Sequence, residues 1–353
     1  MKCQRFILCF AFFLILPAAL FAHDKTDRLV MKNGDSMTCE IKGLDSGVLY
    51  VSFDYIDGTA SVDWTKVARL ESTQLFVVKT EDGSVYTGAL HTAETEGGRP
   101  EQIQVLEPPE QVHTMERSQV VRIVATSEKV WERFNGEVTF GTIYSKGNES
   151  TQYNLGADTV YVRERWSAAA NYDSTLSKST GTTASTRNSL TFSALHLMSQ
   201  RNWFYQGIGG LLQSSEQGIS LQTLLGGGVG RYLKNTNRAS VQLLGGGAWQ
   251  ATTYQNSNVP IHHQNTAAAL IYLNASFFKF SKTNFDATAS FLPALSEPGR
   301  IRIDTNASYY IKIISNLKWN ISFYGNWDNQ PPPGFSGSDY GTSSGLSWTY
   351  GLK

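Results

Sequence analysis

From Asn135 to the end of the chain, hydrophobic and polar positions alternate with period two in twelve separate stretches. Val138, Phe140, Thr142 and Tyr144 hold one phase; Glu137, Thr139 and Gly141 hold the other. Successive side chains of a strand point to opposite faces, so the pattern predicts strands with one apolar face. The same rhythm recurs over Tyr153–Tyr161, Trp166–Tyr172 and Leu190–Ala194, then in glycine-rich form over Trp203–Leu211, Ile219–Val229 and Val241–Trp249. It continues over Ala269–Phe277, Phe285–Phe291, Ile301–Ile311, Leu317–Phe323 and Leu346–Leu352. No apolar run in this part reaches the ~20 residues of a spanning helix.

The connections say what the strands build. Every second one is tight: Val162–Glu164, Ser199–Asn202, Lys234–Asn237, Lys279–Lys282 and Ile314–Asn316. Those between are mostly longer, as at Leu176–Ser185, Thr253–Gln264, Leu292–Gly299 and Asp328–Tyr340. Short turns on one rim and long loops on the other are the plan of an outer-membrane barrel. Tyr144, Tyr161, Trp203, Trp249, Trp319 and Trp348 stand near strand ends, where interfacial aromatic girdles belong. A soluble β-sandwich would also alternate, but it needs a second core-facing layer and no asymmetry of loops.

Residues 23–127 read as a separate, smaller β domain with hairpin signals at Asn33-Gly34-Asp35, Asp57-Gly58 and Asp82-Gly83. It contains a repeat. Gly34-Asp35 with Ile41 matches Gly83-Ser84 with Leu90 at an offset of 49, and Val67-Ala68-Arg69-Leu70 matches Val120-Val121-Arg122-Ile123 at 53. The expected fold class is therefore all-β: a transmembrane antiparallel barrel of twelve strands over 135–353, a linker at 128–134, and a two-module SH3-like β domain at 23–127.

Charge supports this division. The chain balances 30 basic against 30 acidic side chains, but residues 23–133 carry 19 acidic and 12 basic, and 134–353 carry 11 and 16. That balance, with no basic tract, argues against nucleic-acid binding. Lys2 and Arg5, the apolar run Phe6–Leu16 and small residues ending at Ala22 form a secretory signal peptide over 1–22. The chain is thus expected in the outer membrane, with residues 23–127 in the periplasm. Cys39 is then alone in the mature chain and reads as a buried structural thiol.

Candidate chemistry is sparse. Asp54, Asp57 and Asp63 lack the spacing of a calcium loop, and His91 and His113 stand apart from other ligands. His196 shares the outward phase of Phe192 and Ala194 without a nucleophile elbow, and adjacent His262 and His263 point to different sides of an extended chain. The triple glycines at 226–228 and 245–247 lack a following Lys-Ser/Thr, so they suit close packing or bending of the wall better than a phosphate loop. No enzyme, metal site or cofactor is expected. The inward phase instead carries Glu137, Asp158, Asp173, Arg187, Asp286, Arg302, Asp304, Lys312 and Lys318, diluted by Ser, Thr, Asn and Gln. A strongly selective pore needs a ring of one sign, and this set is mixed.

Three segments resemble one family. Phe140-Gly141-Thr142-Ile143-Tyr144-Ser145-Lys146-Gly147-Asn148-Glu149 is similar to the first hairpin of the YdiY-like salt-induced outer-membrane proteins, with Glu149 where Thr is usual. Gly226-Gly227-Gly228-Val229-Gly230-Arg231-Tyr232 looks like that family's mid-barrel glycine strand. Lys32–Leu44, with Val62-Asp63-Trp64 downstream, is similar to the module that often precedes the barrel. The resemblance implies an outer-membrane barrel and supplies no enzyme mechanism. The chain departs from common practice at its end, Trp348-Thr349-Tyr350-Gly351-Leu352-Lys353, which lacks a terminal aromatic residue. Two functions fit: a narrow, weakly selective pore or envelope transporter, or a barrel that anchors a module for a periplasmic protein partner. Outer-membrane lipid is a partner in either case.

Overall fold

The computed structural model describes residues 25–93, 101–109, 111–126, 133–145, 150–179, 181, 183–199, 202–255, 263–279, 282–314 and 316–351. The predicted signal peptide, most of the linker, His262, Thr180 and Thr182 lie outside the described residues.

The N-terminal domain holds nine strands: β1 Asp27–Met31, β2 Ser36–Asp45, β3 Val48–Phe53, β4 Ile56–Asp63, β5 Val67–Thr80, β6 Val85–Thr92, β7 Gln102–Glu107, β8 Gln111–Glu116 and β9 Val120–Ala125. They join in the order β4-β3-β2-β1-β5-β6-β7-β8, with β9 pairing both β2 and β5. One long strand serves both repeats. The first half of β5 pairs with β1 (Leu29↔Leu70), and the second half pairs with β6 and β9 (Val78↔Tyr86, Val78↔Ile123). The 53-residue offset is visible as two single-turn 3-10 helices, Trp64–Lys66 and Arg117–Gln119, each leading into a buried Val. These equivalent positions bond to each other. The Trp64 indole donates to the Arg117 carbonyl at 3.1 Å, and the Arg117 guanidinium donates back to the Trp64 carbonyl.

Alternation along these strands sends Leu29, Ile41, Leu49, Trp64, Leu70, Phe76, Val78, Leu90, Val105 and Ile123 into one core. Buried Asp27 ties three strands together by accepting from the Ile41 amide at 2.8 Å and from the Ser72 hydroxyl. Cys39 is buried in the same core, and its thiol is pushed up to about 12 by burial, then by Asp27 and Glu40. It is chemically quiet because the thiolate is the reactive form.

The second domain is a closed ring of twelve antiparallel strands: β10 Phe134–Ser145, β11 Ser150–Val162, β12 Trp166–Lys178, β13 Ser185–Leu197, β14 Trp203–Ser214, β15 Ile219–Asn235, β16 Ala239–Tyr254, β17 His263–Lys279, β18 Thr283–Pro293, β19 Ile301–Ile314, β20 Leu317–Asp328 and β21 Ser338–Tyr350. Each strand pairs with the next, and β21 returns to β10 from Gly136↔Tyr350 to Phe140↔Leu346. Phe134, assigned to the linker from the sequence, is the first residue of β10.

Register carries one face continuously around the ring. Glu137 stands opposite Asp158, Asp158 opposite Asn171, and Lys318 opposite Ser347, which in turn faces Thr139. Val138, Phe140, Leu155, Leu225, Val229, Ile271, Ile321 and Leu346 occupy the other phase and are exposed on the outer wall. Closure gives every strand a partner on both sides, which hydrocarbon demands because it offers no hydrogen bonds. Trp166, Trp203, Tyr205, Trp319 and Trp348 lie toward the short-turn rim, with Tyr161, while Tyr153, Trp249, Trp327 and Tyr340 lie toward the other. The short-turn rim, here called lower, has connections such as 163–165 and 236–238; the upper rim has 215–218 and 329–337.

The glycine runs sit where β15 and β16 approach closely. A Cβ on Gly228 would run into the Gly245 carbonyl, and one on Gly246 into the Gly227 carbonyl. Any side chain there would force the wall apart.

Candidate functional site

The barrel lumen gathers the nine charged residues singled out from the sequence, all on the inward phase of their strands. They fall into layers. Near the lower rim, the Lys318 ammonium lies 3.1 Å from the Glu137 carboxylate, with both side chains largely buried. The Asn171 amide donates to Asp158 beside them. Asp286 lies in the same layer, half-buried. Lys312 reaches down out of the ring and donates to Ser61 of the N-terminal domain at 3.1 Å.

The upper layer is denser. Arg302 meets Asp328 at 3.0 Å, and Arg300 meets the same carboxylate at 2.6 Å and Glu297 at 2.7 Å. Burial pulls the Glu297 carboxyl up, but hydrogen bonds from Arg300 and Thr266 hold it below its ordinary value. Arg187, from β13, donates to Asn326 of β20 at 2.7 Å and lies 4.2 Å over the Tyr324 ring. Those two strands are five apart by the shorter way round, so this side chain spans the bore. Asn326 donates in turn to Asp304, and Ser214 of β14 donates to Asp339 of β21 at 2.7 Å. Above them, the 329–337 loop crosses the mouth: the Phe335 ring lies against Gly218, and Pro331 and Pro332 leave a cavity of only about 30 Å³ over Arg302 and Asp304.

Between the layers, Asp173, Thr191 and Asn306 face inward and are nevertheless exposed. Gly156 and Ser189 flank Asp173 on the inner face, Asn171 and Gly210 flank Thr191, and Thr288 and Tyr324 flank Asn306. A water-accessible belt therefore crosses the lumen at mid-height, bounded above and below by hydrogen-bonded charges.

The other wall corrects the expectation of a polar lumen. Leu195, Leu197, Phe204, Leu244, Ala268, Leu270 and Leu292 form a buried apolar cluster inside the barrel, joined by Ile208, Leu224, Tyr232 and Tyr272. In β15 the inward Leu224-Gly226-Gly228 and outward Leu225-Gly227-Val229 are chemically alike, so alternation marks no polar face there.

The N-terminal domain lies across the lower mouth. Val85 packs against the apolar cluster inside the barrel. Three asparagines of the lower turns donate to its backbone: Asn202 to Glu81 at 3.0 Å, Asn235 to Thr80 at 3.3 Å and Asn237 to Val120 at 2.7 Å. Gly83, with φ of +83°, sits flush against the Asn202 backbone, where a side chain would collide. Lys79 is caught at this junction; burial first, then Arg122 and Arg165, lower it to about 7. These contacts are not legible in the residue pattern. Asn235-Thr236-Asn237 reads as turn chemistry, and backbone carbonyl acceptors leave no mark on residue type. Asp328 and Asp339 were also missed, although both share the inward phase of their strands.

Of the residues set aside, His196 faces outward against the Trp166 ring at 4.7 Å, and His263 bonds Thr253 at 3.0 Å. His113 bonds Glu107 at 3.1 Å.

A closed twelve-stranded ring with an apolar outer wall and an internally bonded lumen defines a β-barrel of the outer-membrane class. Residues 138–350 match the family described as "Protein of unknown function, DUF481", and the chain belongs to that family, the YdiY-like family of the hairpin and glycine strand above. No curated protein matches the chain. Among solved structures it is similar to the translocator domain of autotransporter NalP from Neisseria meningitidis, with 14% identity, 61% of this chain and 86% of that one covered, and a TM-score of 0.34. It is also similar to OmpT, an outer membrane protein of Vibrio cholerae, at 9% identity, and to the outer membrane channel DcaP of Acinetobacter baumannii, at 8%. Both alignments cover 92% of this chain and 94% of the other, with a TM-score of 0.30. Superpositions this loose carry no weight for function.

Proposed function

We propose that this protein resides in the outer membrane as a narrow, weakly selective conduit for small polar solutes, closed in the conformation described here. The observation that carries the reading is the water-accessible belt around Asp173, Thr191 and Asn306, held between two constrictions. Passage requires the upper layer at Arg187 and the lower lid to move. The mixed charges favour neither anions nor cations strongly. The chain enters the barrel from the short-turn rim, so the N-terminal domain and the Arg163 turn face the periplasm, and the loop at Gly181 faces outside. Tags inserted at Gly181 and Arg163 and probed on intact cells test this orientation; labelling at Arg163 alone would reverse it. We assign no enzymatic role; the His196 ring packs at a tilt against Trp166.

A second reading, a barrel that anchors the N-terminal domain for a periplasmic protein partner, is favoured by the apolar cluster inside the lumen, against which Val85 of that domain packs. Planar-bilayer recording in asymmetric salt separates the two. The conduit reading expects little or no current from the wild type and more from Arg187→Ala. A large, strongly ion-selective wild-type current would overturn it. Silence from every lumen variant would favour the anchor.

A further inference from the structure

The outer wall carries a notch. Toward the lower rim between β11 and β15, outward positions hold Ala168, Ala194, Gly207 and Gly209. They floor a groove of about 610 Å³ whose lining is almost wholly apolar. Tyr161, packed on Phe134 at 5.0 Å, walls the β11 side, Leu225 walls the β15 side, and Phe192 stands between them on β13. The Phe192 ring lies down over Gly209 so closely that a side chain there would collide with it. Gly207 is different: a Cβ added to it meets nothing within 4 Å. The groove has the volume of an ordinary small-molecule site, about 300–1,000 Å³, yet it faces the membrane.

The rim beneath it is basic. Arg163 and Arg231 are exposed below the two sides of the groove, Arg231 lying 5.7 Å from the centre of the Trp203 ring. Arg238, Lys279 and Lys282 continue the belt of exposed cations around this rim. Glu164 is the one acid among the described residues of the five lower turns.

We propose that the groove holds an acyl chain of an anionic phospholipid from the leaflet on the N-terminal domain's side, its phosphate held between Arg163 and Arg231. The proposal rests on the membrane reading above and adds a ligand to it. Hydrocarbon is what surrounds this wall, and the basic rim matches an anionic headgroup. An acyl chain fills the groove, and the void it would otherwise leave forfeits dispersion contacts on every side.

The test uses the full mature chain in vesicles of equal parts phosphatidylglycerol and phosphatidylcholine, extracted in mild detergent and weighed by native mass spectrometry. Wild type is expected to retain one phosphatidylglycerol per barrel. Gly207→Leu, which occupies the floor without a clash, should lower retention by about tenfold or more while keeping the mobility of a folded barrel on unheated gels. The double change Arg163→Gln with Arg231→Gln should keep a lipid but lose the preference for phosphatidylglycerol. Unchanged retention in Gly207→Leu would overturn the proposal. So would a folded wild type that retains no lipid, or an Ala168→Cys variant that cross-links to a second copy through the groove. Fractionation of the same chain separates the two levels: a folded, membrane-inserted barrel without lipid removes this inference alone, whereas a soluble chain removes the membrane reading beneath it.

Discussion

The two walls of the lumen solve the same problem with opposite chemistry. Inside the ring Phe204, Leu224, Leu244, Ala268 and Leu270 of β14–β17 pack with Leu195 and Leu197 of β13, Leu292 of β18 and Val85 of the other domain. From β18 round to β13 the inner face is otherwise mostly Ser, Thr, Asn, Asp, Arg and Lys, and its hydrogen bonds reach across the bore. Apolar packing excludes water without directional partners, so it fixes the shape of one wall. Paired charges tolerate water beside them and can exchange partners. The wet belt at Asp173, Thr191 and Asn306 accordingly belongs to the polar wall. Rigidity and permeability are divided between the two sides of one ring.

The largest effect should come from breaking the apolar wall. Phe204 is fully buried, and Phe204→Ala should cost about 3–5 kcal/mol, read as loss of the folded, heat-modifiable form in urea. Ser322→Ala on the polar wall removes one hydroxyl bond to Ser343 and should cost only about 0.5–1.5 kcal/mol; equal losses would abolish the distinction. Next, Asp339→Ala removes the acceptor of Ser214 and the neighbour of Arg187, for about 1–3 kcal/mol, and should raise conductance where Phe204→Ala does not.

These two walls also show what can be read from sequence. Strands β10–β13 and β18–β21 alternate between aliphatic or aromatic and polar residues, so their phase, their turns and all nine inward charges were legible. In β15 and β16 both faces carry Leu and Gly, so the strands could be placed but not their chemistry. The repeats of the small domain were legible because each keeps a glycine turn and a Val-x-Arg strand. The sharing of β5 was not, because residues 71–75 carry no signal that separates one strand from two.

Smaller effects concern the lid. Asn237→Ala deletes one bond to the Val120 carbonyl and should weaken docking by about 0.5–1.5 kcal/mol, seen as faster hydrogen exchange in the 80–84 turn that packs on the barrel. Protons give a further test of the lid. Lys79 is lowered to about 7 at the junction, so the undocked state binds the proton more tightly. Docking should therefore strengthen as pH rises from about 7 toward the ordinary lysine value of about 10.4 and stay level below 7. Lys79→Met should flatten the profile; a slope that survives it would place the proton elsewhere.

The shared strand β5 fixes how this domain can be inherited. Two modules joined by a linker can be cut apart, shuffled or lost one at a time. Here the last strand of the first module and the first of the second are one continuous segment, and β9 stitches back to β2 as well. No single excision removes one module and leaves the other with its strands complete. Recombination must carry the pair whole, so whatever first doubled this segment also made the doubling hard to reverse.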